Sequence, residues 1–253
     1  MAWQDLDGHE LAVDFWPVGA GGSLRAWDAA DEYFLRHLVE QPPGPGARVV
    51  LVDDRWGALA TALSRLRPEA WGDSYLGRRA LAANLERNGR APDAVPFVPA
   101  DTIPSGPCDL AIVRLPKDLV CLDDTLRRLR DVMAPGALVL AGGMIKHTPT
   151  RAWRLLEQVV GTTVTTPGWK KARLGLARCE TPALSPAPSV AAYRLPDDEL
   201  EIHGAPGVFG GGRLDGGAAL LLRHLPVPAA GLAAADLGCG DGVLTLALAR
   251  RCP

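Results

Sequence analysis

Near its carboxyl end the chain reads Asp236-Leu237-Gly238-Cys239-Gly240-Asp241-Gly242, and eleven residues follow. An apolar run leading into such a loop and then a helix is a strand–loop–helix turn of the kind that meets a nucleotide-type cofactor in a doubly wound sheet. Gly238 and Gly240 admit backbone close to a ligand where a Cβ would collide, and Asp236 at the strand end offers a carboxylate to a cationic group. Gly242 follows Gly240 by two residues, whereas the dinucleotide fingerprint wants three. That spacing disfavours a nicotinamide-binding oxidoreductase fragment. A glycine-rich turn without a ligand stays open as the plainer reading. A sheet opening at this loop needs later strands, helices and a catalytic loop. The expectation is therefore that residues 193–253 are the truncated start of a second domain, and that function belongs first to a longer parent.

Ahead of that, 180 residues alternate between strand-like and helix-like pieces. The pattern predicts helices over 28–40, 57–66, 75–88, 119–133 and 150–160. It predicts strands over 48–53, 95–99, 109–114 and 137–141, a turn at 71–73, and 162–166 with 172–179 closing the sheet. Strands spaced by helices of about ten to fifteen residues imply right-handed βαβ units. The fold class is α/β, a doubly wound and mostly parallel sheet over residues 1–180. Residues 181–192, rich in Pro, Ser and Ala, read as a linker. Beyond it the pattern gives a strand pair over 193–203 bent at 195–197, a glycine-rich turn at 204–212, a helix over 215–224 and a strand over 232–237.

Hydrophobic residues make up 47% and charged residues 22%, enough apolar matter for a sizeable core. No uninterrupted apolar run reaches the roughly 18 residues of a membrane span, and the amino terminus lacks the basic start and apolar stretch of a signal peptide. The expectation is a cytoplasmic protein that meets no membrane. Five cysteines stand without a Cys-x-x-Cys pair, which suits reduced thiols and no metal. Net charge is −2, but it is unevenly spread. Between Leu119 and Arg178, ten Arg and Lys face four acids, and this basic flank includes Lys170, Lys171 and Arg173. Such a flank attracts a polyanion by releasing counterions, or is simply a solvated face.

Three stretches sharpen the assignment: Leu24-Arg25-Ala26-Trp27-Asp28-Ala29-Ala30-Asp31-Glu32-Tyr33, Gly168-Trp169-Lys170-Lys171-Ala172-Arg173, and Gly207-Val208-Phe209 with Arg213-Leu214-Asp215-Gly216-Gly217-Ala218. With the glycine loop, they resemble the RlmG/RsmC-type ribosomal RNA guanine-N2 methyltransferases from about residue 24 to the end. That family joins a methyltransferase-like domain without a cofactor site to a catalytic domain. The resemblance implies methyl transfer from S-adenosyl-L-methionine to guanine N2 of ribosomal RNA, the flipped base being held in line with the methyl group. Carried over onto this sequence, the cofactor positions are Asp236, Gly238, Gly240, Phe209, Arg213 and Asp215. Gly210 departs from the family's usual Ser. No catalytic residue is assigned, because no Asn-Pro-Pro-Phe segment lies between Asp236 and Pro253.

The same comparison makes residues 1–180 the degenerate, Rossmann-like partner. In Val52-Asp53-Asp54-Arg55-Trp56-Gly57 the two close-approach glycines are taken to be replaced by Asp54 and Trp56. Val113-Arg114-Leu115-Pro116-Lys117 stands where an active member carries Asn-Pro-Pro-Phe. The domain is expected to be inert. Lys170, Lys171 and Arg173 either touch RNA or form the solvent-facing set of a strand. A non-catalytic pseudo-methyltransferase that binds RNA or protein is the alternative, and the oligomeric state is left open.

Overall fold

The computed structural model describes residues 3–19, 21–180, 191–195, 197, 199–225 and 233–251, which fall into two units, Met1–Ser185 and Pro186–Pro253. The first unit opens with a short hairpin, β1 (Trp3–Gln4) and β2 (Glu10–Leu11), followed by helix α1 (Ala29–Glu40). Helix α1 starts where Asp28 caps it. The Asp28 carboxylate accepts from the Ala30 amide, and Asp31 reaches back to accept from the Asp28 amide. Strands and helices then alternate: β3 (Val49–Val52), α2 (Ala58–Ala62), β4 (Glu69–Gly72), α3 (Tyr75–Arg87), β5 (Phe97–Pro99), β6 (Cys108–Arg114) and α4 (Leu119–Arg130). They continue with β7 (Met133–Met144), α5 (Thr150–Val159), β8 (Thr163–Thr165) and β9 (Ala172–Arg178).

Seven strands form one sheet in the order β5-β4-β3-β6-β7-β9-β8, parallel from β5 to β7, with β9 antiparallel to both its neighbours. All four residues of β3 are buried, as a central parallel strand covered on both faces requires. Its side chains alternate between two apolar layers. Val50 and Val52 join Leu122, Leu126 and Leu156, whereas Val49 and Leu51 join Phe34, Leu59 and Leu85. Each fully buried leucine in these layers contributes about 2 kcal/mol of transfer free energy.

The doubly wound, mostly parallel architecture is the expected one, but several boundaries move. The turn expected at 71–73 is instead the end of strand β4. Glu69-Ala70-Trp71-Gly72 lacks a β-branched run, and it is a strand because β3 and β5 pair with it on either side. Helix α4 stops at Arg130, and β7 begins at Met133, ahead of a register irregularity opposite Cys108 and Leu110 that takes up the Ala-Pro-Gly segment. The helix expected over 57–66 gives way after Ala62 to a 3-10 turn, Ser64–Leu66.

The second unit holds the hairpin β10 (Ala191–Leu195) and β11 (Leu200–Gly204), then α6 (Gly216–His224) and α7 (Val243–Arg251). Leu195, Ile202, Leu222, Val243 and Ala247 are its buried apolar residues among those described. Of the expected linker, 181–190 lie outside the described residues, and the last two belong to β10. The strand expected over 232–237 does not form among the described residues 233–237. A parallel strand exists by pairing with neighbours, and here Ala233, Ala234 and Ala235 are exposed and Leu237 is 96% exposed.

Candidate functional site

Three glycines in the left-handed region carry the loop into α7: Gly238 at φ +75°, Gly240 at +57° and Gly242 at +79°. A Cβ on Gly238 would meet nothing within 4 Å, whereas one on Gly240 would stand 2.8 Å from the Phe209 carbonyl oxygen. Gly238 is thus the glycine that leaves room for a ligand, and Gly240 is demanded by packing within the chain. Asp241 pins the loop. Its amide donates to the Phe209 carbonyl at 3.0 Å, and its carboxylate accepts from the Tyr193 hydroxyl at 2.8 Å. Burial and then that carboxylate raise the Tyr193 phenol above its ordinary range, which keeps it a donor. Gly210, at φ +113°, sits where any Cβ would run into the Asp241 carboxylate, so the absence of a side chain there matches the position Asp241 takes. Sequence reasoning missed Asp241 and Tyr193. The signal was an aspartate between two motif glycines, but its partner lies 48 residues away.

A cavity of about 380 Å³ adjoins the loop, lined among others by Phe209, Asp215, Leu221, Asp236, Gly238 and Asp241. It gathers most of the positions singled out from the sequence. Gly240, packed on the Phe209 carbonyl, and the exposed Arg213 do not line it. Asp215 uses its carboxylate as the cap of α6, accepting from the Gly217 amide at 2.8 Å and the Ala218 amide at 3.3 Å. Asp236 is half-buried and accepts from the Thr245 hydroxyl at 2.8 Å. A carboxylate with acceptor capacity left, beside open glycine backbone, suits a ligand that brings an ammonium group.

The corresponding turn of the first unit can be compared directly. Gly57 (φ +69°) and Gly242 each stand immediately before their helices, α2 and α7. Counting back from them, Asp53 occupies the position of Gly238 and Arg55 that of Gly240. This corrects the expectation of Asp54 and Trp56, which rested on where the strand was taken to end. Asp53 even keeps the left-handed backbone, at φ +58°. Asp54 turns inward and accepts from the Ala60 amide at 2.7 Å. At the end of β6, Arg114 grips Asp28 through both terminal guanidinium nitrogens (3.0 and 2.9 Å) and reaches Asp31 at 3.2 Å. Burial pushes Asp31 up to about 7 against the pull of Arg114.

Trp169 and Ala172 exchange two backbone hydrogen bonds, 2.9 and 2.8 Å, around Lys170 and Lys171, whose φ values are +45° and +64°. This is a two-residue hairpin turn with both central residues left-handed. The two lysines are therefore a turn tip and not part of an alternating strand, because the chain reverses there. Arg173 lies on β9, half-buried, and its Nε has no acceptor among the described residues. The Lys170 ammonium contacts Glu32 at 2.7 Å and stands 4.5 Å from the Trp169 ring centre; Arg36 lies over the same ring, and the Tyr33 hydroxyl donates to the Pro167 carbonyl at 3.1 Å. Two of the stretches singled out from the sequence, 24–33 and 168–173, thus meet in space. Separately, Asp5, Asp7 and His9 lie within metal-sharing distance, but Asp5 is already paired with Arg90 and Asp7 with Arg65. Among the described residues no helix is long and apolar enough to cross a membrane.

Residues 1–181 match the family model described as the RLMG N-terminal domain, and residues 199–253 match the methyltransferase small domain. Ribosomal RNA large subunit methyltransferase G of Pseudomonas entomophila (strain L48) is 44% identical over 234 residues, covering 92% of this chain and 63% of that protein. The protein of the same name from Streptomyces coelicolor is 42% identical over 245 residues, covering 94% of this chain and 65% of its own length. The chain thus spans less than two thirds of these relatives. Among solved structures, the T. thermophilus 16S rRNA N2 G1207 methyltransferase (RsmC), in complex with AdoMet and guanosine, superposes with a TM-score of 0.67 at 23% identity, covering 97% of this chain and 64% of that one. This last likeness bears on the fold.

Proposed function

The chain belongs to the RLMG N-terminal domain family, and from that premise we propose that it serves methyl transfer from S-adenosyl-L-methionine to guanine N2 in ribosomal RNA. In this reading residues 1–180 are a degenerate methyltransferase domain that helps hold RNA, 181–192 link, and 193–253 begin the catalytic domain. The observation that carries it is the glycine loop folded against residues 209–215, with the open face of Gly238 and the Asp236 carboxylate on one cavity. The donor would bring an activated methyl group on a sulfonium, which already has a good leaving group. Asp236 would take the ammonium of its amino-acid end, Gly238 would allow backbone approach, and Phe209 would offer an apolar face. Asp215 acts through the cap of α6, and Asp241 with Tyr193 holds the loop in shape.

The sequence contains no Asn-Pro-Pro-Phe segment to hold the guanine amine, so this segment by itself supplies only part of the machinery. Lys170, Lys171 and Arg173 would meet RNA phosphates, with the two turn lysines best placed because they are exposed. Calorimetry on the 253-residue chain tests the donor site. Weak binding of S-adenosyl-L-methionine that Asp236→Ala abolishes is the expected result. Preference for a nicotinamide dinucleotide, or binding indifferent to Asp236→Ala, would overturn the assignment.

A further inference from the structure

A second cavity, of about 370 Å³, opens at the carboxyl ends of β3, β4 and β6 in the first unit. It lies where the strand order reverses between β3 and β6, the crevice in which doubly wound sheets take ligands. Asp53 and Arg55, at the positions where the loop before α7 has glycine, line the space instead of filling it. Leu76, Phe97 and Cys121 supply apolar wall. The charges around it sort into satisfied and unsatisfied sets. Arg114 is taken by Asp28 and Asp31, and Asp54 by the Ala60 amide. Asp53 and Asp73 remain, close enough to repel, with Arg55 as counter-charge; among the described residues neither carboxylate accepts a hydrogen bond.

We propose that this cavity binds a small organic cation, an amine or guanidine on an apolar body, with its charged end between Asp53 and Asp73 and its body against Leu76 and Phe97. A cation turns the repulsion of two carboxylates into two charge-assisted hydrogen bonds. The volume suits a small ligand. A neutral polyol or nucleoside could occupy the carboxylate oxygens but would leave both negative charges facing each other. Burial and Asp73 push Asp53 up to about 6. The cation favours the ionised carboxylate, so binding near pH 6 releases protons, with Asp54, Arg55, Asp73, Arg114 and Cys121 as the other groups facing the space.

The test is calorimetry of the whole chain with phenethylamine, and with adenosine as the neutral comparison. The expected result is saturable amine binding weakened at least about tenfold, the equivalent of one lost charge contact, in Asp53→Asn and in Asp73→Asn. At pH 6 the enthalpy should vary with the buffer, reporting proton release. Asparagine tolerates the left-handed backbone at position 53, and Asp73 is exposed, so both variants should fold, which a thermal melt verifies. No saturable amine binding, binding by either variant equal to that of the unsubstituted chain, or adenosine binding in its place would overturn the proposal. None of these readouts depends on methyl transfer, so its failure is separable from failure of the donor-site reading.

Discussion

Lys170 and Lys171 adopt left-handed backbones because a two-residue turn of that hand twists with its strands, and Asn-Gly would do so with less strain. Replacing the pair by Asn-Gly should hold or raise Tm while removing two cations. Affinity for ribosomal RNA should then fall, and the slope of log affinity against log salt should shrink by about 2. An unchanged slope at equal Tm would remove the hairpin from the RNA interface. Asp28 does two jobs, capping α1 and gripping Arg114. Asp28→Ala should cost about 2 kcal/mol by denaturant midpoint, its partial exposure tempering the loss of the ion pair. The sequence displays Lys170 and Arg173 as cations. It does not display that Glu32, 138 residues away, meets the first, or that a half-buried β9 position holds the second.

Helices were legible because apolar spacing, caps and terminating glycines are local signals, and α1, α3, α5 and α6 appear within a residue or two of their predicted bounds. Strand β4 was not, because its identity comes from the strands beside it. The strand-to-helix turn before α2 offers a sharper test. A Cβ on Gly57 would run into the Leu81 backbone of α3, and its φ is +69°. Gly89 has nearly the same φ, +68°, with nothing within 4 Å. Gly57→Ala should therefore cost about 3 kcal/mol or more, and Gly89→Ala only about 1, both by denaturant unfolding. Equal costs would mean that conformation alone, and not the close packing of α2 on α3, requires the first glycine.

Across the whole molecule, buried acids set the pH response. Asp31 is pushed up to about 7 and Asp53 to about 6, and Asp54 is raised as well, all chiefly by burial. The native state holds these protons after the unfolded chain has released them near the ordinary 3.8. Their contribution is therefore fully favourable below about pH 4 and is lost as pH rises through the folded values. Asp28, held low by Arg114, and His37, lowered by burial, work in the opposite direction, so a difference between two proteins isolates the effect. The Tm advantage of Asp53→Asn over the unsubstituted chain should widen from pH 4 to about 6 and then level off. A gap that is flat with pH would contradict the buried, repelled state of Asp53. The α/β class, the run of alternating elements and the glycine turn into α7 were all determined by sequence alone, because each follows from backbone preference and periodicity over a few neighbouring residues. Tertiary structure decided which glycine faces open space, which acid meets which cation, and that a cavity opens after β3 although Asp53 and Arg55 stand there. These depend on side chains tens of residues apart arriving at one place, and no local pattern encodes that meeting.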